Sequence, residues 1–206
     1  AYLPWRIAEM TDRLADEMRA GEWDKVRETA AWLSHYVADA HMPLHCTLNY
    51  DGKETGNDGI HGRYEIDMVD AYVVTPFVKV EAAGEVEDVF RRAVKVCIES
   101  NRLVPQVLAA DDKARAAAPL DTAAYYHVLA RAGGELAKKR INKGAQLTAD
   151  LVYTAWIRAG RPELPTKRAT VIVLDAGKRD EWQQVPWQLL HGPFREEIGA
   201  HHDAVS

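Results

Sequence analysis

The chain has 206 residues, of which 47% are apolar and 28% charged, and a net charge of -5. That composition belongs to a globular domain and excludes a disordered chain. The longest apolar runs, such as 171–174, are too short to cross a bilayer, so no transmembrane segment is expected. The acidic balance argues against sequence-specific DNA binding, which needs a basic face, but not against an enzyme acting on phosphodiesters.

Taken in chain order, Pro4 followed by Trp5, Ile7, Met10, Leu14 and Met18 predicts an amphipathic helix that stops at Gly21. Asp24 is placed to cap a second helix running to about Met42, with Val26, Ala30, Leu33 and Val37 as its apolar stripe. Pro43 ends or kinks it. Residues 49–59 read as a glycine-rich loop. A third helix is expected from about Ile60 to Val74. A fourth spans roughly Val86 to Ala109, bent near Pro105. The fifth and longest runs from about Thr122 to Ala159, with a break suggested at Gly133-Gly134, and stops at Gly160 with Pro162 beyond. The last 40 residues are different in character, with one strand expected over Ala169–Asp175 and short, proline-interrupted sequence after it. The fold class is therefore all-α: a multi-helix bundle over residues 1–165 and a small irregular C-terminal tail, 166–206, containing one strand.

The placement of histidines carries the chemistry. His35 and Asp39 lie four apart on the second helix, and His61 and Glu65 lie four apart on the third. Residues at that spacing share a helix face, with Cβ atoms about 5–6 Å apart, so two side chains can converge on one metal or on two neighbouring ones. His45 sits between the pairs, just past Pro43. A single His-x3-Asp pair is more often a surface ion pair, but two pairs and a fifth residue within one stretch form a candidate ligand set. Imidazole and carboxylate without thiolate suit zinc, and iron, nickel or cobalt could occupy the same atoms. A carboxylate such as Asp39 can bridge two ions. Rival signatures are missing from the sequence: there is no Glu-x-x-His of the ferritin-like type, no His-Glu-x-x-His, no Gly-x-Ser-x-Gly and no phosphate-cradling Gly-x-x-x-x-Gly-Lys.

The remaining notable residues have plainer readings. His41 lies off the His35–Asp39 face and reads as a surface residue or as one that supports the ligands from behind. His127 and His191 have no partner at ligand spacing and read as structural, His201-His202 lies in the tail, and Trp5, Trp32 and Trp156 read as core. Cys46 and Cys97 form no CxxC pair, and geometry alone decides whether they bridge.

The segment Ser34-His-Tyr-Val-Ala-Asp-Ala-His-Met-Pro-Leu-His45, followed by Thr55-Gly-Asn-Asp-Gly-Ile-His-Gly-Arg-Tyr-Glu65, resembles the superfamily of zinc-dependent phospholipases C and single-strand-specific zinc nucleases. The shared pattern is HY-x-x-D-x-x-x-P-x-H followed by G-N-x-x-x-H-x-x-x-(D/E), and the close match covers residues 32 to 66. The resemblance implies an all-helical, exported hydrolase of phosphate esters with up to three zinc ions at the bottom of a cleft, and hence an extracytoplasmic location. By resemblance His35 and Asp39 ligate one zinc, and Asp39, the catalytic carboxylate of the set, bridges to a second. His45, His61 and Glu65 hold the third, which this chain ligates in full. Glu65 follows the phospholipase version of the pattern, where the nucleases more often have Asp. The family's other ligands come from upstream: an N-terminal amino group, a nearby His, and a later Asp and His. No histidine precedes His35 here, so the resemblance implies that an N-terminal part of the domain lies upstream of Ala1.

Expected substrates are a small phosphodiester, a phospholipid or single-stranded nucleic acid. Arg63 is a candidate phosphate contact, though an arginine exposed on a helix is usually just solvated. Tyr50 and Tyr64, with Tyr72, are candidate stacking residues. Two other readings stay open: a non-catalytic, zinc-stabilised helical binding domain derived from that family, and a plain helical interaction domain without metal.

Overall fold

The computed structural model describes residues 2–73 and 78–165. The expected strand at Ala169–Asp175, together with His191, His201 and His202, lies outside the described residues, among which there is no strand.

The first helix, α1 (Leu3–Ala20), carries Pro4 in its first turn, where no backbone N–H is needed. It ends at Gly21, whose φ of 72° lets its own N–H and that of Glu22 return to the carbonyls of Met18 and Glu17. The chain then reverses into α2 (Trp23–His41). Asp24 does not cap this helix. It lies inside the first turn, where its negative charge is favourable at the positive end of the helix dipole, and Glu22 stands at the cap position without a side-chain bond. A short 3₁₀ turn, Pro43–Cys46, follows.

The third helix departs from the expected single α-helix. It is α3 (Ile60–Gly62), a wider π turn over Arg63–Asp67, and α4 (Met68–Tyr72). Such turns recur at functional sites, and this one carries Glu65. The expected fourth helix is two: α5 (Val89–Asn101) and α6 (Val104–Ala117). Pro105 does not bend a helix but sits in the first turn of a new one, after a tight turn closed by Leu103 N–H on the Ser100 carbonyl at 2.9 Å.

The last helix, α7 (Ala123–Arg158), is continuous through Gly133-Gly134, so the expected break is corrected. At 1.5 Å per residue its 36 residues span about 54 Å, enough to serve two packed layers. Leu147, Leu151 and Ala155 join Ile7, Leu14, Leu33, Val37, Ala93 and Val96 in one core. Leu129 and Tyr125 join Leu44, Ile60, Met68, Val107 and Ala110 in another. Gly133 is there for closeness rather than flexibility: a Cβ on it would lie 2.8 Å from Tyr64 Cε2, and the Tyr64 hydroxyl donates to the Gly133 carbonyl at 3.1 Å.

An extended strap runs along α7. The backbone N–H groups of Lys79, Glu81, Gly84 and Val86 donate to Asn142, Gln146, Asp150 and Thr154 at 2.7–3.0 Å. The four acceptors recur every fourth residue, so one helix stripe satisfies one edge of the strap.

Trp5 is corrected from core to surface: it is 59% exposed and meets Phe90 edge-on at 5.1 Å. Trp32 and Trp156 are half-buried against the first core. His127 is exposed on α7 beside Tyr72.

Candidate metal centre

The C-terminal half of α2 presents His35 and Asp39 on one face, and Pro43 turns the chain so that His45 follows on the same side. The turn is held from α5 and α7, which supply donors to carbonyls that a helix end leaves without intrahelical partners. The Ser100 hydroxyl donates to the Ala40 carbonyl at 2.5 Å, the Asn101 amide to the Cys46 carbonyl at 2.8 Å, and Arg140 Nε to the His41 carbonyl at 2.9 Å. Of the two readings of His41, burial removes the surface one: it is 3% exposed, its Nδ1–H donates to the Val37 carbonyl at 2.7 Å, and burial lowers its pKa to about 4.

The second arm comes from the loop. Asn57, 1% exposed, donates from one amide to Asp111 and Asp112, each at 2.8 Å. Arg115 of α6 donates to the Gly56 carbonyl. Gly52 and Gly59 take φ near 78°, and a Cβ on either would collide, with Asn57 in the first case and the Arg63 guanidinium in the second. The loop is thereby pressed onto α6, and it delivers His61 and Glu65 opposite His45.

Three ligand atoms, from His45, His61 and Glu65, lie within 4.8 Å of one another. Glu65 Oε2 is 2.9 Å from His61 Nε2 and 3.3 Å from His45 Nε2. Asp39 links this trio to His35, with Oδ1 3.8 Å from His45 Nε2 and Oδ2 3.5 Å from His35 Nε2. Its two oxygens thus face different imidazoles, the disposition a bridging carboxylate needs. All five candidate ligands therefore form one connected group. Asp39 and His61 are the more buried, and His35 is open to solvent.

The charges of the group are set by burial and by its own histidine–carboxylate contacts. Burial raises the pKa of Asp39, against the lowering influence of His45 and His35. Burial also pushes the Glu65 carboxyl up, but hydrogen bonds from His45 and His61 outweigh it and bring its pKa down to about 2. The Glu65 hydrogen bond raises the pKa of His61, against its burial. One further contact decides how His61 is oriented. Its Nδ1 is 3.2 Å from the Tyr50 carbonyl, which can only accept, so Nδ1 carries the proton. In the neutral ring Nε2 then turns a lone pair toward a carboxylate oxygen at 2.9 Å. That contact is attractive only if a proton or a metal ion lies between the two. A carbonyl acceptor fixing the tautomer of a ligating imidazole is a common support in metal sites. The donor set fits zinc and equally fits other borderline divalent ions.

The candidate substrate residues divide. Tyr50 is 44% exposed at the edge of the group, its ring centroid 5.9 Å from that of His61. Arg63 and Tyr64 lie in the interior. Arg63 lies two residues from both His61 and Glu65, which puts it on the opposite side of the helix. Its Nε donates to Tyr125 Oη at 2.9 Å and its guanidinium reaches the Asn57 carbonyl and Asp111. Tyr64 is 2% exposed against Gly133, and Tyr72 donates to the Ala123 carbonyl. The sequence shows Asn57 only as part of the G-N-x-x-x-H pattern and gives no sign of Asp111, yet together they position the loop. The signal was present in the glycine-flanked Asn57, whose side chain has to find partners if the loop is to be buried. In comparisons with known proteins, no family model, no curated protein and no solved structure matches this chain.

Proposed function

We propose that the chain carries the core of a metal-dependent hydrolase of phosphate esters, with zinc as the metal, of the phospholipase C or single-strand nuclease type. The observation that carries this reading is the convergence of His45, His61 and Glu65 within 4.8 Å, extended through Asp39 to His35. Five nitrogen and oxygen ligands in one connected, half-buried group are more than one closed structural site uses, since such a site typically takes four.

His45, His61 and Glu65 would hold one ion, and Asp39 with His35 would contribute to a neighbouring position. Bound zinc supplies Lewis acidity, which acidifies water to near neutrality and offsets charge on phosphoryl oxygens. The chain's own part is orientation. The Tyr50 carbonyl keeps the proton on His61 Nδ1, so Nε2 is free to ligate. Asn57, Asp111 and Arg63 hold the loop that aims the ring. Exposed Tyr50 offers an aromatic edge to a base or an apolar tail at the rim.

The test is metal content and turnover of the full-length protein. Zinc bound after gentle purification and hydrolysis of a chromogenic phosphodiester, abolished by His45→Ala, is the expected result. Turnover unchanged in His45→Ala would overturn the catalytic reading. Zinc binding without turnover of phosphodiester, phospholipid or single-stranded nucleic acid would leave a zinc-stabilised binding domain in its place.

A further inference from the structure

The outer surface of α5 is divided lengthwise. Phe90, Val94 and Ile98 lie four residues apart and form one stripe, in which Phe90 and Ile98 are exposed and Val94 is half-buried. Arg91 and Lys95 form the next stripe around the helix, and Arg92 lies beyond them. The apolar stripe continues onto α1, where exposed Trp5 meets Phe90 edge-on and Tyr2, three residues earlier, is exposed as well. The cationic stripe is free to engage a partner. Lys95 makes no hydrogen bond or ion pair among the described residues. Arg91 is 87% exposed and only 3.4 Å from Asp88, a pair too open to water to hold it in place. Three cations on α5 stand against one anion, Glu99, which faces Arg140 and Lys143 instead, and this in a chain whose net charge is -5.

We propose that this face of α1 and α5 docks on a bilayer that carries anionic lipid. A helix with an aromatic and aliphatic stripe beside a Lys/Arg stripe lies in the plane of a membrane interface, its apolar side chains at the acyl boundary and its cations on the charged headgroups. Trp5 and Tyr2 carry the amphipathic rings that settle at headgroup level. A second copy of the chain is a poorer occupant, because a two-fold contact would bring two cationic stripes into one interface with no anionic stripe to meet them. Single-stranded nucleic acid would use the cations, but it stacks its bases on open ring faces. Trp5 and Phe90 instead pack edge to face at 66°, and Val94 and Ile98 offer no ring. The face uses none of His35, Asp39, His45, His61 and Glu65, so the docking stands apart from the hydrolase reading.

The experiment is co-sedimentation of the full-length protein with vesicles of phosphatidylcholine alone and with vesicles in which about a quarter of the lipid is phosphatidylserine. Partitioning should be at least about tenfold stronger onto the anionic vesicles and should weaken as salt is raised. Arg91→Gln with Lys95→Gln should weaken it about 30-fold, since each cation near such a surface strengthens binding about fivefold. Trp5→Ala should weaken it at least about tenfold. Both variants should keep the parent's Tm and zinc content, and if Trp5→Ala disturbs its contact with Phe90, the fully surface-borne Arg91 and Lys95 pair carries the test. His45→Ala should bind vesicles as the parent does, so that failure of the docking and failure of the hydrolase reading show separately. Equal partitioning of the parent onto both vesicles, partitioning unchanged in the Arg91 and Lys95 variant, or binding lost in His45→Ala would overturn the proposal. So would a protein that holds a single-stranded oligonucleotide through Arg91 and Lys95 and leaves both vesicles unbound.

Discussion

Glu65→Gln isolates the contribution of one charge at the centre of the trio. The amide has the shape of the carboxylate, and Glu65 is about one-third exposed, so the packing around it survives. The half-buried pair it makes with His61 is still open enough to solvent to be worth only about 1 kcal/mol of folding stability, which corresponds to a fall in Tm of under about 4 °C for a chain of this size. Metal binding is a different matter. Oε2 sits 2.9 Å from one imidazole nitrogen and 3.3 Å from the other, so a cation held by both rings must meet this oxygen. Losing a hydrogen-bonded group that merely supports a ligand costs metal affinity about 10–100-fold, and losing the ligand's own charge must cost more. Zinc Kd should therefore weaken by at least about 100-fold, or about 2.7 kcal/mol. Competition against a chromogenic chelator at pH 7.5 reads the Kd, and thermal melts of the metal-free forms confirm that the fold is intact. A Glu65→Gln protein with unaltered Tm and the same zinc Kd as the parent would show that the trio is an ion-pair cluster and not a binding site.

Adjacent glycines should respond with opposite signs. Gly133→Ala drives a methyl to 2.8 Å from a carbon of the buried Tyr64 ring and should cost about 1–3 kcal/mol, whereas Gly134→Ala meets open space in mid-helix and should stabilise by about 0.5–1 kcal/mol, both read by urea unfolding. Asn57→Ala removes a shared donor from the fully buried Asp111 and should destabilise by about 2 kcal/mol while loosening zinc binding through the His61 arm; equal Tm and equal Kd would count against the loop clamp. Acid sensitivity should trace to His41, whose pKa falls from 6.5 in the unfolded chain to about 4 in the fold. The unfolded state then binds the extra proton between those values, so stability is full above about pH 6.5 and declines by about 3 kcal/mol as pH falls toward 4. His41→Gln should flatten that part of the metal-free protein's stability curve.

Much of the fold was legible because its signals are local. Pro4, Gly21, Pro43 and Gly160 mark helix ends by what they do to their own φ angles and N–H groups, and each stands at or beside an end in the structure. That His35 neighbours Asp39 and His61 neighbours Glu65 was legible for the same reason, since i, i+4 spacing fixes a shared face. What failed depended on distant partners. Gly133-Gly134 reads as a break until Tyr64 is seen to need the missing Cβ. Arg63 reads as solvated until Tyr125 and Asp111, on other helices, draw it inward. Of the two readings of His41, the surface one stands until Arg140, from α7, closes over its carbonyl. The strap over 79–86 has no periodicity of its own, because its partners are the regularly spaced side chains of α7.

The same division governs the centre itself. Spacing along residues 35–65 chooses which side chains can converge, but it leaves the two arms free to point past each other. Their meeting is set by polar groups outside that stretch. Ser100, Asn101 and Arg140 hold the turn bearing His45. Asp111 and Asp112 hold Asn57, and Arg115 holds Gly56, in the loop that leads to His61. The two sets come from α5, α6 and α7, the helices that also build the two cores. Because the supporting groups are carried on packed helices, the distance between His45 and His61 is fixed by core packing and not by the loop's own stiffness. A group built this way keeps its geometry without an ion, and for a cation of the kind proposed above that preorganisation would leave binding energy for holding the ion instead of ordering the chain.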